Sequence, residues 1–165
     1  MNTVALVVVF LVALQRLGEL VHAGRNTRAL LASGGFEVGR SHYPLIVAMH
    51  AAWLLAILAT VPPDRAVSVP LLVLYGVVQV VRLWVMANLG PYWTTRVIAM
   101  PGVPRVRRGP YRYIRHPNYT IVVVEIALLP MVFGDWQVAL LFSALNAALL
   151  TWRISVENKV LAARP

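Results

Sequence analysis

Five long apolar segments are the features that most restrict how this chain can fold. A helix that crosses the hydrocarbon core of a bilayer needs roughly 20 mostly apolar residues, and four of the five segments approach that length. Charged residues make up 13% of the 165 residues, against about a quarter in an ordinary soluble domain. The sequence therefore predicts a single all-α domain over residues 1–165, an integral membrane bundle of about five transmembrane helices with spans at 4–21, 44–61, 67–89, 119–133 and 136–152.

Proline and glycine residues mark the ends of these segments. Pro44 is a favourable first residue for the second helix, and Pro62-Pro63 and Gly90-Pro91 close the second and third. Gly134-Asp135 is a tight turn between the last two segments, which predicts an antiparallel hairpin. Three spans thus occupy residues 1–89, and residues 90–165 supply a loop that would bind a cofactor, the hairpin and a C-terminal helix.

The positive charges are concentrated on one side of the predicted bundle. Of the 15 Lys and Arg residues, only Arg65 falls on the other side, and Arg16 and Arg82 lie within spans. Cytoplasmic loops carry an excess of Lys and Arg, so we expect a multi-pass protein of the cell (inner) membrane with its N-terminus outside and its C-terminus in the cytoplasm. A net charge of +9 is also typical of nucleic-acid binding, but cations confined to short loops between apolar spans argue against such a partner. The cytoplasmic cations are Arg25, Arg28, Arg40, Arg96, Arg105, Arg107, Arg108, Arg112, Arg115, Arg153, Lys159 and Arg164.

Several polar residues lie inside the predicted spans, where a charge is costly and usually faces a bundle interior or a cavity. Arg16 and Glu19 are three residues apart on one helix face, which favours a structural ion pair. Glu125 has two interpretations, a residue that lines a ligand pocket or a structural ion pair with Arg82 or Arg16. For Asn146 we expect a hydrogen bond between helices.

The start of the fourth span is rich in groups that attract an anion. Pro117 is suited to the first position of a helix, which places His116 at the cap. The free N–H groups of that first turn favour a carboxylate or a phosphate, and Arg115 adds positive charge beside them. Tyr111, Tyr113 and Tyr119 supply aromatic faces. The alternative is an ordinary interfacial belt of Tyr and Arg that anchors the helix end.

Two charged residues lie four apart in the C-terminal helix. Arg153 and Glu157 can form an i,i+4 salt bridge. Alternatively, Glu157 could hold an ammonium group while Arg115 and the helix start hold a carboxylate, and together they would recognise an amino-acid moiety. No metal site is predicted, because the chain has no cysteine and no second ligand is spaced to join His116.

Two motifs in the C-terminal half resemble a known family. Arg115-His116-Pro117-Asn118-Tyr119, followed by an apolar hairpin and Arg153-Ile154-Ser155-Val156-Glu157, is similar to the isoprenylcysteine carboxyl methyltransferase superfamily. This resemblance implies a methyltransferase in which the two motifs bind S-adenosylmethionine, with Tyr111 or Tyr113 stacked on adenine or facing the sulfonium. The residues expected around the cofactor are His116, Pro117, Tyr119, Arg153 and Glu157, with Tyr111, Tyr113 and Arg115 added.

Motifs in the rest of the chain resemble a bacterial branch of this superfamily. They are Arg16-Leu17-Gly18-Glu19, Arg25-Asn26, Glu37-Val38-Gly39, His42-Tyr43-Pro44, Leu89-Gly90-Pro91-Tyr92-Trp93-Thr94-Thr95-Arg96 and Gly109-Pro110-Tyr111. The branch is often encoded beside type III polyketide synthases and O-methylates alkylpyrones and alkylresorcinols. The resemblance therefore implies a lipophilic acceptor that enters from the bilayer, among membrane lipids, and links the chain by pathway to a polyketide synthase.

The predicted catalytic residues are Glu157, Arg153 and Glu125, with the two glutamates as candidate bases. The family often has two Glu at the end of its second motif, and here the second position is Asn158. Two alternative acceptors are a prenylated cysteine carboxylate and a phospholipid amine. A different class of function is a non-catalytic lipid-binding or assembly protein that uses the arginines for anionic headgroups.

Overall fold

The computed structural model describes the backbone of residues 2–162 and the side chains of residues 2–159. Arg164, assigned above to the cytoplasmic side, lies outside the described residues. Five helices dominate the fold, which confirms the prediction of an all-α membrane bundle. They are α1 (Thr3–Ala32), α2 (Tyr43–Thr60), α3 (Val69–Leu89), α4 (Pro117–Val132) and α5 (Trp136–Ala162).

Four of these helices, α1, α2, α3 and α5, are long and apolar enough to cross a membrane. The shorter α4 has 16 residues and is about 24 Å long by the rise of an α-helix, less than the hydrocarbon thickness. Pro117 is its first residue, as the sequence predicts. The first helix continues to Ala32 instead of ending at Val21, because residues 22–32 keep good helix formers although they are no longer apolar.

The predicted hairpin of α4 and α5 is confirmed. Gly134 has a φ of 67° in the turn, a conformation that other residues rarely adopt. The side chain of Asp135 then caps α5, since its Oδ1 accepts a hydrogen bond of 3.2 Å from the amide of Val138. The antiparallel helices bring the start of α4 and the end of α5 to the same end of the bundle, called here the loop end.

A small antiparallel sheet, which the sequence analysis did not predict, joins the two halves of the chain at the loop end. Strand β1 (Phe36–Val38) pairs with β2 (Val97–Ala99), with Glu37 opposite Ile98. Ile98 and Met100 pack against Leu30 of α1. The loop at 90–117 is therefore fastened to the extended end of α1.

The main hydrophobic core lies toward the opposite end of the bundle. Its largest fully buried side chains include Trp53 and Ile57 of α2, Leu129 of α4 and Phe133. At that end, the side-chain amide of Asn2 donates to the carbonyl of Arg65 over 3.0 Å and ties the start of α1 to the turn before α3. The two cavities described below lie nearer the loop end than this core does.

A cluster of four charged side chains lies in the middle of the bundle. The predicted pair forms, with 2.9 Å between Arg16 Nη1 and Glu19 Oε2. Arg82 of α3 also binds Glu19, through Nη2 to Oε2 at 2.6 Å, and Glu125 of α4 contacts Arg16 at 2.8 Å and Arg82 at 3.1 Å. The charges sum to zero, so each buried charge has a partner of opposite sign. We call these four residues the ion cluster.

Candidate active site

A cavity of about 350 Å³ opens at the loop end, between the 90–117 loop and the ends of α4 and α5. We call it the loop cavity. Seven of the eight residues predicted to bind a cofactor line it, and the eighth, Pro117, is buried as the first residue of α4. The seven lining residues are Tyr111, Tyr113, Arg115, His116, Tyr119, Arg153 and Glu157. Their roles as ligands stay predictions, but the fold brings them to one place.

A chain of hydrogen bonds crosses this cavity. The Nε of Arg153 donates to the Tyr119 hydroxyl over 2.7 Å, and that hydroxyl donates to the Glu157 carboxylate. Arg153 and Glu157 do not form the i,i+4 salt bridge considered above, because the tyrosine hydroxyl lies between them. Arg153 is buried, whereas 27% of the Glu157 side chain stays exposed. The carboxylate is thus held by the protein and still accessible to a ligand.

His116 connects the start of α4 to the same carboxylate. Its ring stacks on Tyr119 with 5.3 Å between centroids, and its Nδ1 lies 3.7 Å from Glu157 Oε2. The other ring nitrogen, Nε2, is 3.2 Å from the side-chain oxygen of Asn158. Asn158 therefore has a structural partner in the site, a contact that sequence reasoning missed.

Three polar atoms at the wall of the loop cavity have no hydrogen-bond partner among the described residues. They are Nε1 of Trp93, the hydroxyl of Tyr111 and Oδ1 of Asn118, and all three are buried. Burial raises the pKa of Tyr111, and the charge of Glu157 raises it further, so this hydroxyl stays a donor. A buried polar group without a partner is costly. The indole N–H and the tyrosine hydroxyl are donors and the asparagine oxygen is an acceptor, so the three suit an organic ligand that carries both acceptors and donors. Sequence reasoning placed Trp93 in a family motif without a role in the site.

A second cavity of about 350 Å³ lies deeper, among α1, α2 and α5, and most of its lining is apolar. We call it the bilayer cavity. Leu17 of α1 and Val47 of α2 line it and are 58% and 39% exposed on the outside of the bundle, so it opens toward lipid between these helices. The two cavities share a wall of five residues: Trp93, Thr94, Asn118, Tyr119 and Arg153.

Two polar residues of the spans differ in their placement. Glu125 is 1% exposed and belongs to the ion cluster. Its Oε1 also accepts a hydrogen bond of 2.9 Å from the side-chain amide of Gln79. The ion-pair interpretation of Glu125 is therefore confirmed, and Glu125 is not among the lining residues of either cavity. The prediction for Asn146 was wrong, since its side chain lines the bilayer cavity and has no interhelical hydrogen bond among the described residues.

Two known proteins are similar to this chain along most of its length. An uncharacterized protein of Bacillus subtilis (strain 168), YpbQ, is 38% identical over 153 residues, which cover 89% of this chain and 90% of that protein. An uncharacterized protein of Haemophilus influenzae (strain Rd KW20) is 22% identical over 144 residues, 84% of this chain and 83% of that one. No solved structure matches.

The family comparison covers the region that forms both the loop cavity and the hairpin. The model of the isoprenylcysteine carboxyl methyltransferase (ICMT) family matches residues 70–163, more than half of the chain. The matched region includes α3 apart from its first residue, the 90–117 loop and every residue of the hydrogen-bond chain from Arg153 to Glu157. This chain belongs to the isoprenylcysteine carboxyl methyltransferase family, and its family and helices make it a multi-pass membrane methyltransferase.

Proposed function

We propose that the protein is an S-adenosylmethionine-dependent O-methyltransferase whose acceptor is a lipophilic type III polyketide product, an alkylpyrone or an alkylresorcinol. One observation carries the proposal. A polar cavity at the loop end and an apolar cavity that opens toward lipid meet at a wall that contains Tyr119 and Arg153. Such a pair of compartments suits a water-soluble methyl donor on one side and a lipid-soluble acceptor on the other.

The residues of the loop cavity fit the proposed cofactor. Arg115 and the first turn of α4 would hold its carboxylate, and Glu157 would hold its ammonium group. The unpaired polar atoms of Trp93, Tyr111 and Asn118 supply donors and an acceptor for the adenosine. Tyr113, which is 81% exposed at the rim, is free to cover a ring. When bound, S-adenosylmethionine supplies an electrophilic methyl group.

The protein's contribution to the reaction is then positioning and proton removal. The acceptor oxygen is held at the shared wall, and correct alignment of two reactants is itself a large part of catalysis. A phenol has a pKa of about 10, like that of tyrosine, so a base helps at neutral pH. The accessible carboxylate of Glu157 takes that proton. Glu125 is disfavoured as a base because two arginines and Gln79 already occupy its carboxylate.

The acceptor would enter from the bilayer through the opening between α1 and α2. The apolar lining of the bilayer cavity, such as Leu20, Leu54 and Leu149, surrounds its hydrocarbon chain. A type III polyketide synthase would supply this substrate, and membrane lipids would surround the enzyme. Nucleic acid is not proposed as a partner.

Methyl transfer to a panel of acceptors tests the proposal. The detergent-purified protein is given labelled S-adenosylmethionine with an alkylpyrone, an alkylresorcinol, a farnesylcysteine analogue or a phosphatidylethanolamine. We expect label in the pyrone or the resorcinol. Label confined to the farnesyl compound or the phospholipid would move the substrate class to prenylcysteine or phospholipid. No label and no cofactor binding would favour a non-catalytic lipid-binding protein.

We also propose that the loop end faces the cytoplasm, where S-adenosylmethionine is made. The charge distribution supports this orientation. Because the native chain has no cysteine, a single introduced cysteine gives labelling without background. In intact cells, a membrane-impermeant maleimide should label Asp64→Cys and leave Arg107→Cys unlabelled until the cells are opened. The reverse pattern would invert the topology.

A further inference from the structure

The bilayer cavity contains a polar side chain with no hydrogen-bond partner among residues 2–159. Asn146 is 2% exposed and lines the cavity on α5, and its amide has no hydrogen-bond partner among the described residues. An amide is costly to bury without a partner. A hydrophobic residue would pack there without that cost, so the amide points to a ligand with a polar group of its own.

His50 presents a second unsatisfied atom to the same cavity from α2. Its Nδ1 lies 2.8 Å from the carbonyl oxygen of Ile46, and a carbonyl can only accept, so Nδ1 carries the proton. In the neutral ring, Nε2 is then an acceptor. No partner for Nε2 exists within the described part of the chain.

Both residues line the bilayer cavity, which meets the loop cavity at the shared wall. Asn146 lies two helical turns before the wall residue Arg153 on α5, and His50 lines the same cavity from α2. The remaining polar groups at this depth, Arg16, Glu19 and Arg82, are committed to the ion cluster, although Nε of Arg16 is buried without a partner.

A purely hydrocarbon ligand would leave these groups unpaired and would be bound poorly. A hydroxyl group, by contrast, can donate to Nε2 of His50 or accept from the amide of Asn146. A carbonyl oxygen can accept from the same amide. Sites that hydrogen-bond a substrate hydroxyl discriminate strongly against analogues without it.

We infer that His50 and Asn146 form a second recognition subsite, which binds a hydroxyl or carbonyl group of the acceptor other than the oxygen that receives the methyl group. The acceptor therefore carries at least two oxygen substituents, and is not a plain isoprenoid chain. This inference rests on the proposed function and deepens it, because it selects among lipophilic acceptors by their chemistry.

Binding of two matched probes tests the subsite without requiring turnover. The probes are a 5-alkylresorcinol and the 3-alkylphenol of equal chain length, which lacks one hydroxyl. Binding to the full-length protein in detergent is measured by calorimetry. We expect the native protein to prefer the resorcinol by about tenfold, the value of one net hydrogen bond in a buried site. Asn146→Leu and His50→Phe should each reduce this preference to less than threefold while the affinity for S-adenosylmethionine stays the same.

Leu54→Ala is the matched control, because Leu54 lines the same cavity with an apolar side chain. This substitution should weaken the binding of both probes by the same factor and leave the ratio of their affinities unchanged. Equal binding of the two probes by the native protein, no binding of either probe, or an unchanged ratio in both polar variants would overturn the inference. Resorcinol preference without any methyl transfer would keep the subsite and reject the proposed reaction, so the two failures are distinguishable.

Discussion

Glu157→Gln will lower the turnover of an alkylresorcinol acceptor at least about a hundredfold, within the range that general bases contribute. The amide keeps the shape of the side chain and can still accept from the Tyr119 hydroxyl, as the carboxylate does. It cannot take a proton from the acceptor, and it no longer attracts an ammonium group. Initial rates at saturating acceptor and cofactor, compared between the two proteins, measure the loss.

The matched control is Asp64→Asn, which neutralises an exposed carboxylate at the opposite end of the bundle and should leave the rate unchanged. Cofactor affinity separates the two roles of Glu157. Native turnover at saturation together with a weakened cofactor affinity would assign Glu157 to the ammonium group alone. Native turnover with native cofactor affinity in Glu157→Gln would remove this residue from the mechanism.

The helices and the clustering of the site residues could be predicted because they depend on local patterns. The lengths of the apolar segments predicted the spans, and Pro117 predicted the first residue of α4. The turn at Gly134 made α4 and α5 antiparallel neighbours, which is enough to bring His116 and Glu157 to the same end of the bundle. A motif before one helix and a motif after the next thus become one site.

Other features depend on contacts between distant segments, which no local pattern encodes. The strands of the small sheet have three residues each, too few for a two-residue alternation to be recognised. Trp93 is held at the cavity wall by a hydrogen bond of 2.8 Å, which the side-chain amide of Asn26 in α1 donates to its carbonyl oxygen. These two residues are 67 positions apart in the sequence. Asn146 looked like a residue that joins helices, yet its amide faces a cavity whose existence depends on three helices at once.

The ion cluster shows the same contrast at the level of one side chain. Spacing along the chain suggested that Glu125 could line a ligand pocket, because it follows His116 by two to three helical turns. The fold instead packs it against α1 and α3, where Arg16 and Arg82 both reach its carboxylate. Neutral charge balance within this cluster explains why four ionisable groups are tolerated at the depth of the spans.

Arg82→Leu is therefore expected to destabilise the protein strongly, by about 3–5 kcal/mol, because it leaves a buried negative charge without compensation. Arg82 binds Glu19 through two nitrogens, at 2.7 and 2.6 Å, and Glu125 through a third at 3.1 Å. The free energy of unfolding in detergent, measured with a denaturant titration, gives the loss. Arg65→Leu removes an exposed arginine at the far end and should change stability by less than about 0.5 kcal/mol.

A second substitution distinguishes charge imbalance from the loss of packing around Arg82. The double variant Arg82→Leu with Glu19→Leu retains Arg16 and Glu125, whose atoms are 2.8 Å apart and whose charges cancel. Removing both members of a buried pair is often close to neutral, whereas removing one is not. We therefore expect the double variant to be more stable than Arg82→Leu alone. A double variant as unstable as the sum of its two single variants would show that the side chains act independently, and that charge balance does not hold the middle of this bundle together.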